Sequence, residues 1–399
     1  MKSRSPIVVL FLTIFIDLLG FGLVIPIFPI FSKELHATSL QIGFIAGLYS
    51  LMNFLFSPLW GTLSDRIGRR PVMLVSIFIT MCAYVFFAFT HDLLFLVISR
   101  IFAGIGSANI SAAQAYIADI TEPKDRSKYM GLIGAAFGLG FIFGPPIGGY
   151  LKAMSGVGSV DMVGYVAAGL CALNLVMAYF LLPESIKVKQ AHKKFEFKPI
   201  SNLVYELKKP IISELFTLNF IFICAFSMMQ ITASILWVER YLLSEKEVGF
   251  VFMFIGVVGA IVQGGLVGKL TKKFGEKKLL LMGSLLMVVG LASIPYVPVE
   301  HFWLQLISMT FIAFGNGCIS PALSSLISQE AEPHEQGQVL GMNMSFGSLA
   351  RVVGPAVGGI LYDFHYTLPY IAGGLLMLVS YYLGHVLVHQ KLRTEVTAA

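Results

Sequence analysis

The chain has 399 residues, 56% of them hydrophobic and only 13% charged, and its mean hydropathy is +0.80. That balance excludes a soluble globular domain of this size and makes lipid the solvent for most of the surface. A net charge of +6 would suit nucleic acid, but its placement along the chain argues for membrane topology instead.

Apolar runs of membrane-crossing length recur at about 6–31, 40–61, 71–90, 93–117, 127–151, 161–182, 213–238, 246–268, 279–298, 302–328, 337–361 and 367–388. The first opens like a signal peptide, but it outlasts an h-region and no small-residue cleavage site closes it. It is expected to stay as helix 1. Asp17 lies in its middle. A carboxylate in hydrocarbon is costly, so such a residue is read by default as functional, here as a proton or cation site.

Between the second and third runs stands GTLSDRIGRRPVML (61–74). Gly61 and Gly68 allow a tight turn, and Pro71 suits the first position of helix 3. Asp65 with Arg66, Arg69 and Arg70 offers a carboxylate–guanidinium cluster. It can latch one bundle to the other on the inner face, or it is a solvated turn.

The fourth run carries Arg100, about 10 Å from the outer face and about 20 Å from the inner one; Asp17 lies about 16 Å deep. The depths nearly match, so the two are expected to interact, directly or through water. A guanidinium and burial act oppositely on a carboxylate's hold on its proton. Motion that separates the pair would therefore change proton affinity; a static pair fixing two helices is the alternative.

The fifth run holds GLGFIFGPPIGG (138–149). Gly138, Gly144, Gly148 and Gly149 bare the backbone along one side for close packing, and Pro145 and Pro146 are expected to kink the helix. Polar side chains at membrane depth follow along the chain: Asn109 and Gln114 on helix 4, Gln230 on helix 7, Gln263 on helix 8, and Asn343 and Arg351 on helix 11. Each could line a substrate cavity or join helices. Arg351 in particular could face an anionic substrate group, reach Asp17 or bind a backbone carbonyl. Cys82, Cys171, Cys224 and Cys318 lack metal-ligand spacing and read as free thiols in the spans.

The polar stretch 183–210 divides six runs from six, and the halves repeat each other. GPPIGGY (144–150) recurs as GPAVGGI (354–360), and GTLSDRIGRRPVML (61–74) as GKLTKKFGEKKLLL (268–281). The expected fold is an all-α membrane protein of twelve transmembrane helices in two pseudo-symmetric six-helix bundles, 1–182 and 213–399, joined by a cytoplasmic linker at 183–212. Duplicated bundles with a mid-membrane site are the architecture of secondary transporters.

Of the 28 Lys and Arg, 22 fall on the side of the N-terminus and only Lys33, Lys152, Arg240 and Lys246 on the other. By the positive-inside rule both termini are cytoplasmic. No GxxxxGK[ST], paired metal ligands or GxSxG turn occurs, so no nucleotide engine, metal, cofactor or enzyme activity is expected.

GTLSDRIGRRPVML resembles the signature loop of the major facilitator superfamily. IDLLGFGLVIPIFP (16–29), ISRIFAGIGSA (98–108) and GLGFIFGPPIGG resemble the helix-1, helix-4 and helix-5 signatures of its twelve-helix drug:proton antiporters. The stretch 115–149 is particularly similar to the tetracycline-efflux branch. The resemblance implies that Asp65 and Arg69, joined by Asp119 and Arg126, form the inner-face latch. It further implies that Arg100 serves proton coupling, that Gly144 and Pro145 mark the helix-5 antiporter kink, and that Asp17 is the helix-1 acid. Tetracycline exporters carry acids within helices 3 and 9 and a histidine in helix 8. Here helices 3 and 9 have none, and helix 8 offers Gln263.

The expectation is a monomeric, proton-coupled exporter of other hydrophobic or cationic compounds in a bacterial inner membrane, working by alternating access as in multidrug or antibiotic efflux. Its partners would be a small-molecule substrate, protons and the lipid bilayer, with no nucleic acid. The alternatives are a proton symporter that imports a small organic solute, and a non-transporting membrane sensor or scaffold.

Overall fold

Inside a bilayer, a helix is the element that satisfies every backbone N–H and C=O within one segment. The computed structural model describes residues 6–108, 110–121, 123–185, 210–331 and 336–398, and apart from short turns these are helical. Among the described residues, twelve helices are long and apolar enough to cross a membrane. They are α1 (Pro6–Glu34), α2 (Ser39–Ile67), α3 (Arg69–Ala88), α4 (Leu93–Ile120), α5 (Leu132–Ser155), α6 (Asp161–Leu181), α7 (Ile211–Tyr241), α8 (Glu245–Phe274), α9 (Glu276–Tyr296), α10 (Trp303–Glu330), α11 (Val339–Phe364) and α12 (Leu368–Leu387). Most of the linker, 186–209, lies outside the described residues.

The twelve runs are all recovered, but hydropathy misplaces some ends. Gly61 does not make the α2–α3 turn: α2 continues through it to Ile67. Gly68 alone turns the chain, at φ 115°, and α3 starts at Arg69, so Pro71 is its third residue and not its first. This costs nothing, because the first four N–H groups of a helix have no intrahelical partner to lose. α8 also contains a π-helical turn, Val262–Leu266, which carries Gln263.

The described chain forms two compact units. The first comprises Met1–Ala37, Ile45–Phe197 and Trp237–Met253; the second comprises Thr38–Phe44, Lys198–Leu236 and Phe254–Ala399. The GPxxGG stripe does the same work in each. In the first unit a Cβ on Gly144 would stand 2.6 Å from Gly22 Cα of α1, and Gly148 meets Leu23. Gly149 turns to the start of α8, at Glu245. In the second unit Gly354 and Gly358 meet α7 at Cys224 and Met228, and Gly359 meets the start of α2 at Ser39. Lipid provides no hydrophobic drive between helices, so such backbone-close van der Waals seams hold them together. Gly138 is not part of the seam, for nothing lies within 4 Å of a Cβ placed there. Gly140, against Leu18, takes its place.

Two polar joints add to this packing. In the first unit Lys152, 1% exposed, donates to Glu34 Oε2 at 2.9 Å and to the Gly156 carbonyl at 2.8 Å. In the second, the Asp363 carboxylate of α11 accepts the N–H groups of Ser39 and Leu40, both at 2.9 Å, and so caps α2 from a distant part of the chain. Loss of a cap costs about 1 kcal/mol. Asp363→Ala should therefore speed amide hydrogen exchange in the first turn of α2 about fivefold, with distant helices unchanged.

Candidate functional site

α1 carries one acidic side chain, Asp17, in the middle of its apolar run. Asp17 is half-buried. The fully buried Asn174 of α6 donates from Nδ2 to Asp17 Oδ1 at 3.1 Å and to the Thr13 carbonyl at 3.0 Å. Tyr84 of α3 is within electrostatic reach of Asp17, Arg100, Tyr49 and Cys171, so one neighbourhood draws on α1, α2, α3, α4 and α6. Tyr84 also lies over Gly20: a Cβ there would meet its hydroxyl at 3.2 Å.

Arg100 is 6% exposed. Its guanidinium sits over the Phe87 ring at 4.9 Å and the Phe28 ring at 5.7 Å, and its Nε reaches Ser99 Oγ at 3.5 Å. Ring faces attract a cation without carrying a charge of their own. The guanidinium is thus held by α1 and α3 together, while Tyr84 shares its field with Asp17. Such a site can hold a proton on a carboxylate, with a fixed cation and a phenol nearby to bias it.

The second cluster lies at the α2–α3 turn. Arg69 Nη2 meets Asp65 Oδ1 at 2.7 Å, its Nε meets Asp119 Oδ2 at 3.1 Å, and its backbone N–H donates to Glu184 Oε1 at 2.9 Å. Ser185 donates to the same Asp119 oxygen at 2.9 Å. Arg70 lies over the Tyr179 ring at 5.4 Å and donates to the Tyr179 carbonyl. Arg66, half-buried, stands one residue from Asp65. These contacts all fall in the first unit. Glu184 and Ser185 are members that the sequence reading missed, since nothing in the linker marked them out. Arg69→Leu leaves two carboxylates facing each other without their shared cation. It should cost about 2 kcal/mol, partial exposure holding it below the fully buried figure, and show as a lower thermal midpoint in detergent.

In the second unit Asn219 Nδ2 donates to Asn343 Oδ1 at 2.8 Å. Arg351 is close to this pair, since a Cβ on Gly347 would lie 3.8 Å from both Arg351 Nη2 and Asn219 Nδ2. Gln230 and Gln114 are half-buried, and Gln263 is exposed on the π turn. α5 stays helical through Pro145 and Pro146, with the Pro145 carbonyl close to Gly249; α11 likewise runs through Pro355. Asn109 and the side chain of Arg126 lie outside the described residues.

The Major Facilitator Superfamily profile matches residues 10–355 and 264–397. A tetracycline resistance protein, class C, from Escherichia coli is 34% identical, with 91% of each chain covered. Multidrug resistance protein 2 of Bacillus subtilis is 29% identical over 100% of this chain and 98% of its own. Among solved structures, the human organic anion transporter MFSD10 superposes with a TM-score of 0.73 at 25% identity, covering 96% of this chain and 100% of its own.

Proposed function

The chain belongs to the Major Facilitator Superfamily, and from that premise we propose that it exports hydrophobic or cationic organic compounds in exchange for protons, by alternating access. It is a multi-pass membrane transporter of small molecules, related to drug- and tetracycline-efflux proteins. Asp17 carries the reading. Its carboxylate sits in a membrane-crossing helix, is held by the neutral amide of Asn174, and shares its surroundings with Tyr84 and Arg100. An ionisable group in that position has little structural purpose and a clear one as a proton carrier. The glycine–proline run of α5 supports export, because it resembles the antiporter signature. Both termini are assigned to the cytoplasm by the distribution of Lys and Arg. Asp65, Arg69 and Asp119 are assigned to the inner-face latch, with Arg66, Arg70 and Arg126 around it.

The substrate is proposed to differ from tetracycline. α3 has no acid, α9 is uncharged from Leu279 to Tyr296, and α8 has no histidine and offers Gln263 instead. The test has two stages. The chain is first overexpressed in a pump-deleted bacterium and screened for resistance to a panel of organic cations and antibiotics. A compound that scores is then added to proteoliposomes under a proton gradient. Export by exchange moves protons opposite to the compound. Movement in the same direction identifies an importer, and no flux for any compound identifies a non-transporting protein.

A further inference from the structure

Arg69 and Arg70 stand side by side at the start of α3 and find different partners. Arg69 meets the carboxylates of Asp65 and Asp119. Arg70 takes the end of α6: its guanidinium lies over the Tyr179 ring at 5.4 Å, and Nη2 donates to the Tyr179 carbonyl. Among the described residues Arg70 forms no ion pair, and its Nε is buried without a hydrogen-bond partner. Acids are not far away, since Tyr116 lies within electrostatic reach of Arg70, Asp119 and Glu184. Those acids are engaged elsewhere. Asp119 Oδ2 accepts from Arg69 and from Ser185, and Glu184 Oε1 accepts the N–H groups of the same two residues.

Next to Arg70 a groove of about 290 Å³ runs between α3 and α6, lined by Leu74, Leu175, Val176, Tyr179 and Phe180. It presents no polar atom. Its α6 residues are spaced to share one face, and Leu74 follows Arg70 by one turn of α3. Val176, Tyr179 and Phe180 are each more than half exposed, so the groove opens on the outside of the first unit. α3 begins at the level where α6 ends. Arg70 and Tyr179 therefore stand at the mouth, and Leu74 and Leu175 lie about 6 Å deeper. The volume is at the bottom of the range for drug-sized ligands, about 300–1,000 Å³, and no polar wall would orient one. A cation at headgroup level with hydrocarbon walls below it has the polarity of a phospholipid. The distribution of Lys and Arg assigns this end to the cytoplasm, and the cytoplasmic leaflet carries the anionic lipids.

We propose that the α3–α6 groove is a binding site for one anionic phospholipid, with its phosphate on the Arg70 guanidinium and the upper part of one acyl chain along Leu74, Leu175 and Val176. Of the five N–H donors of a guanidinium, one here meets the Tyr179 carbonyl and one, on Nε, is buried. The others remain for phosphate oxygens, which a planar fork suits. Tyr179 already holds the guanidinium in place, so little side-chain freedom is lost on binding. Net charge sets the headgroup preference. A zwitterionic headgroup brings an ammonium beside Arg70, and the carboxylates that would receive it are engaged by Arg69 and Ser185. An anionic headgroup brings no such cation. The inference concerns the lipid-facing side of the first unit and is independent of the export reading.

Native mass spectrometry of the full chain in detergent tests this by counting the lipids retained. Phosphatidylglycerol and phosphatidylethanolamine with the same acyl chains are added in equal amounts. Wild type should keep one phosphatidylglycerol in preference by about tenfold. Arg70→Gln removes the charge and should bring the two lipids to parity. Val176→Trp fills the groove from an exposed position, leaves Arg70 in place and should lose the retained lipid as well. Both variants keep every lysine of 186–209, so non-specific attraction of anionic lipid to that stretch stays as the background. Glycerol phosphate, a headgroup without chains, should not displace the lipid. Displacement by it would make this a site for soluble phosphates and overturn the lipid assignment. Equal retention of the two lipids by wild type overturns it, and so does a preference that survives in either variant. If Arg70→Gln does not insert, Val176→Trp decides alone, and undiminished retention there overturns the site.

Discussion

Asp17→Asn should abolish proton-driven transport while leaving the folded protein in place. Asparagine has nearly the shape of aspartate and keeps an oxygen at the position of Oδ1, so the bond donated by Asn174 survives. It also keeps the surroundings of Tyr84 filled. What it cannot do is take up and release a proton anywhere in the working pH range. Thermal midpoint and yield in detergent should match wild type. Transport driven by a proton gradient should fall to the level of liposomes without protein, and exchange of labelled for unlabelled substrate, which needs no proton, should continue. Asp17→Glu places the carboxyl about 1.5 Å further out and should keep a fraction of the coupled rate. Unchanged proton-coupled flux in Asp17→Asn would remove Asp17 from the carrier role.

The parts of this molecule that were legible in the sequence share one property: they depend on composition along a single helix. Twelve spans follow from hydropathy because lipid imposes a length and an apolarity on each crossing. Asp17 stands out because a carboxylate is rare in such a run. The two GPxxGG stripes stand out because three glycines in a repeated pattern have no use except close approach. Helix ends were less visible. α2 continues six residues beyond its apolar run, because a helix needs no lipid around it once nucleated and capped.

What stayed hidden depends on contacts between helices. Asn174 is one of many neutral polar residues at membrane depth, and nothing along α6 says that it points at Asp17. Arg100 was expected beside Asp17 from matching depths alone. Depth fixes height but not rotation about the helix axis, and the structure gives the guanidinium two aromatic rings, with Tyr84 sharing the field of both charges. Glu184 joins Arg69 from more than a hundred residues away, across a chain reversal that no local pattern predicts. The π turn at Val262–Leu266 is equally silent, since Gly264 and Gly265 permit it without requiring it. Gly138 was misjudged because it stands six residues before Gly144, which turns it about 120° away from the face of Gly140, Gly144 and Gly148 that meets α1.

The glycine seam supplies the second large effect, and it separates stability from coupling. A Cβ on Gly144 would stand 2.6 Å from both Cα and C of Gly22 and 2.9 Å from Leu23 N. These atoms are backbone, so no rotamer change can relieve the clash. Gly144→Val adds two further carbons, and α1 must retreat by about 1 Å or more, losing dispersion contact along the seam. Overpacking of this kind costs about 3 kcal/mol or more, which should show as a sharply lower yield and thermal midpoint in detergent. Gly354→Val should cost a similar amount, because its Cβ would stand 2.6 Å from the Cys224 carbonyl oxygen of α7. The two variants should still differ at the acid. Asp17 lies five residues before Gly22 on the helix that Gly144→Val displaces, so that variant should also shift the infrared band of protonated Asp17. Gly354→Val acts within the other unit and should leave the band where it is. Gly138→Ala, with open space at the Cβ, should be neutral or slightly stabilising through helix propensity. Wild-type stability in Gly144→Val would mean that α1 and α5 are not in backbone contact at Gly22, and the seam would have to be redrawn.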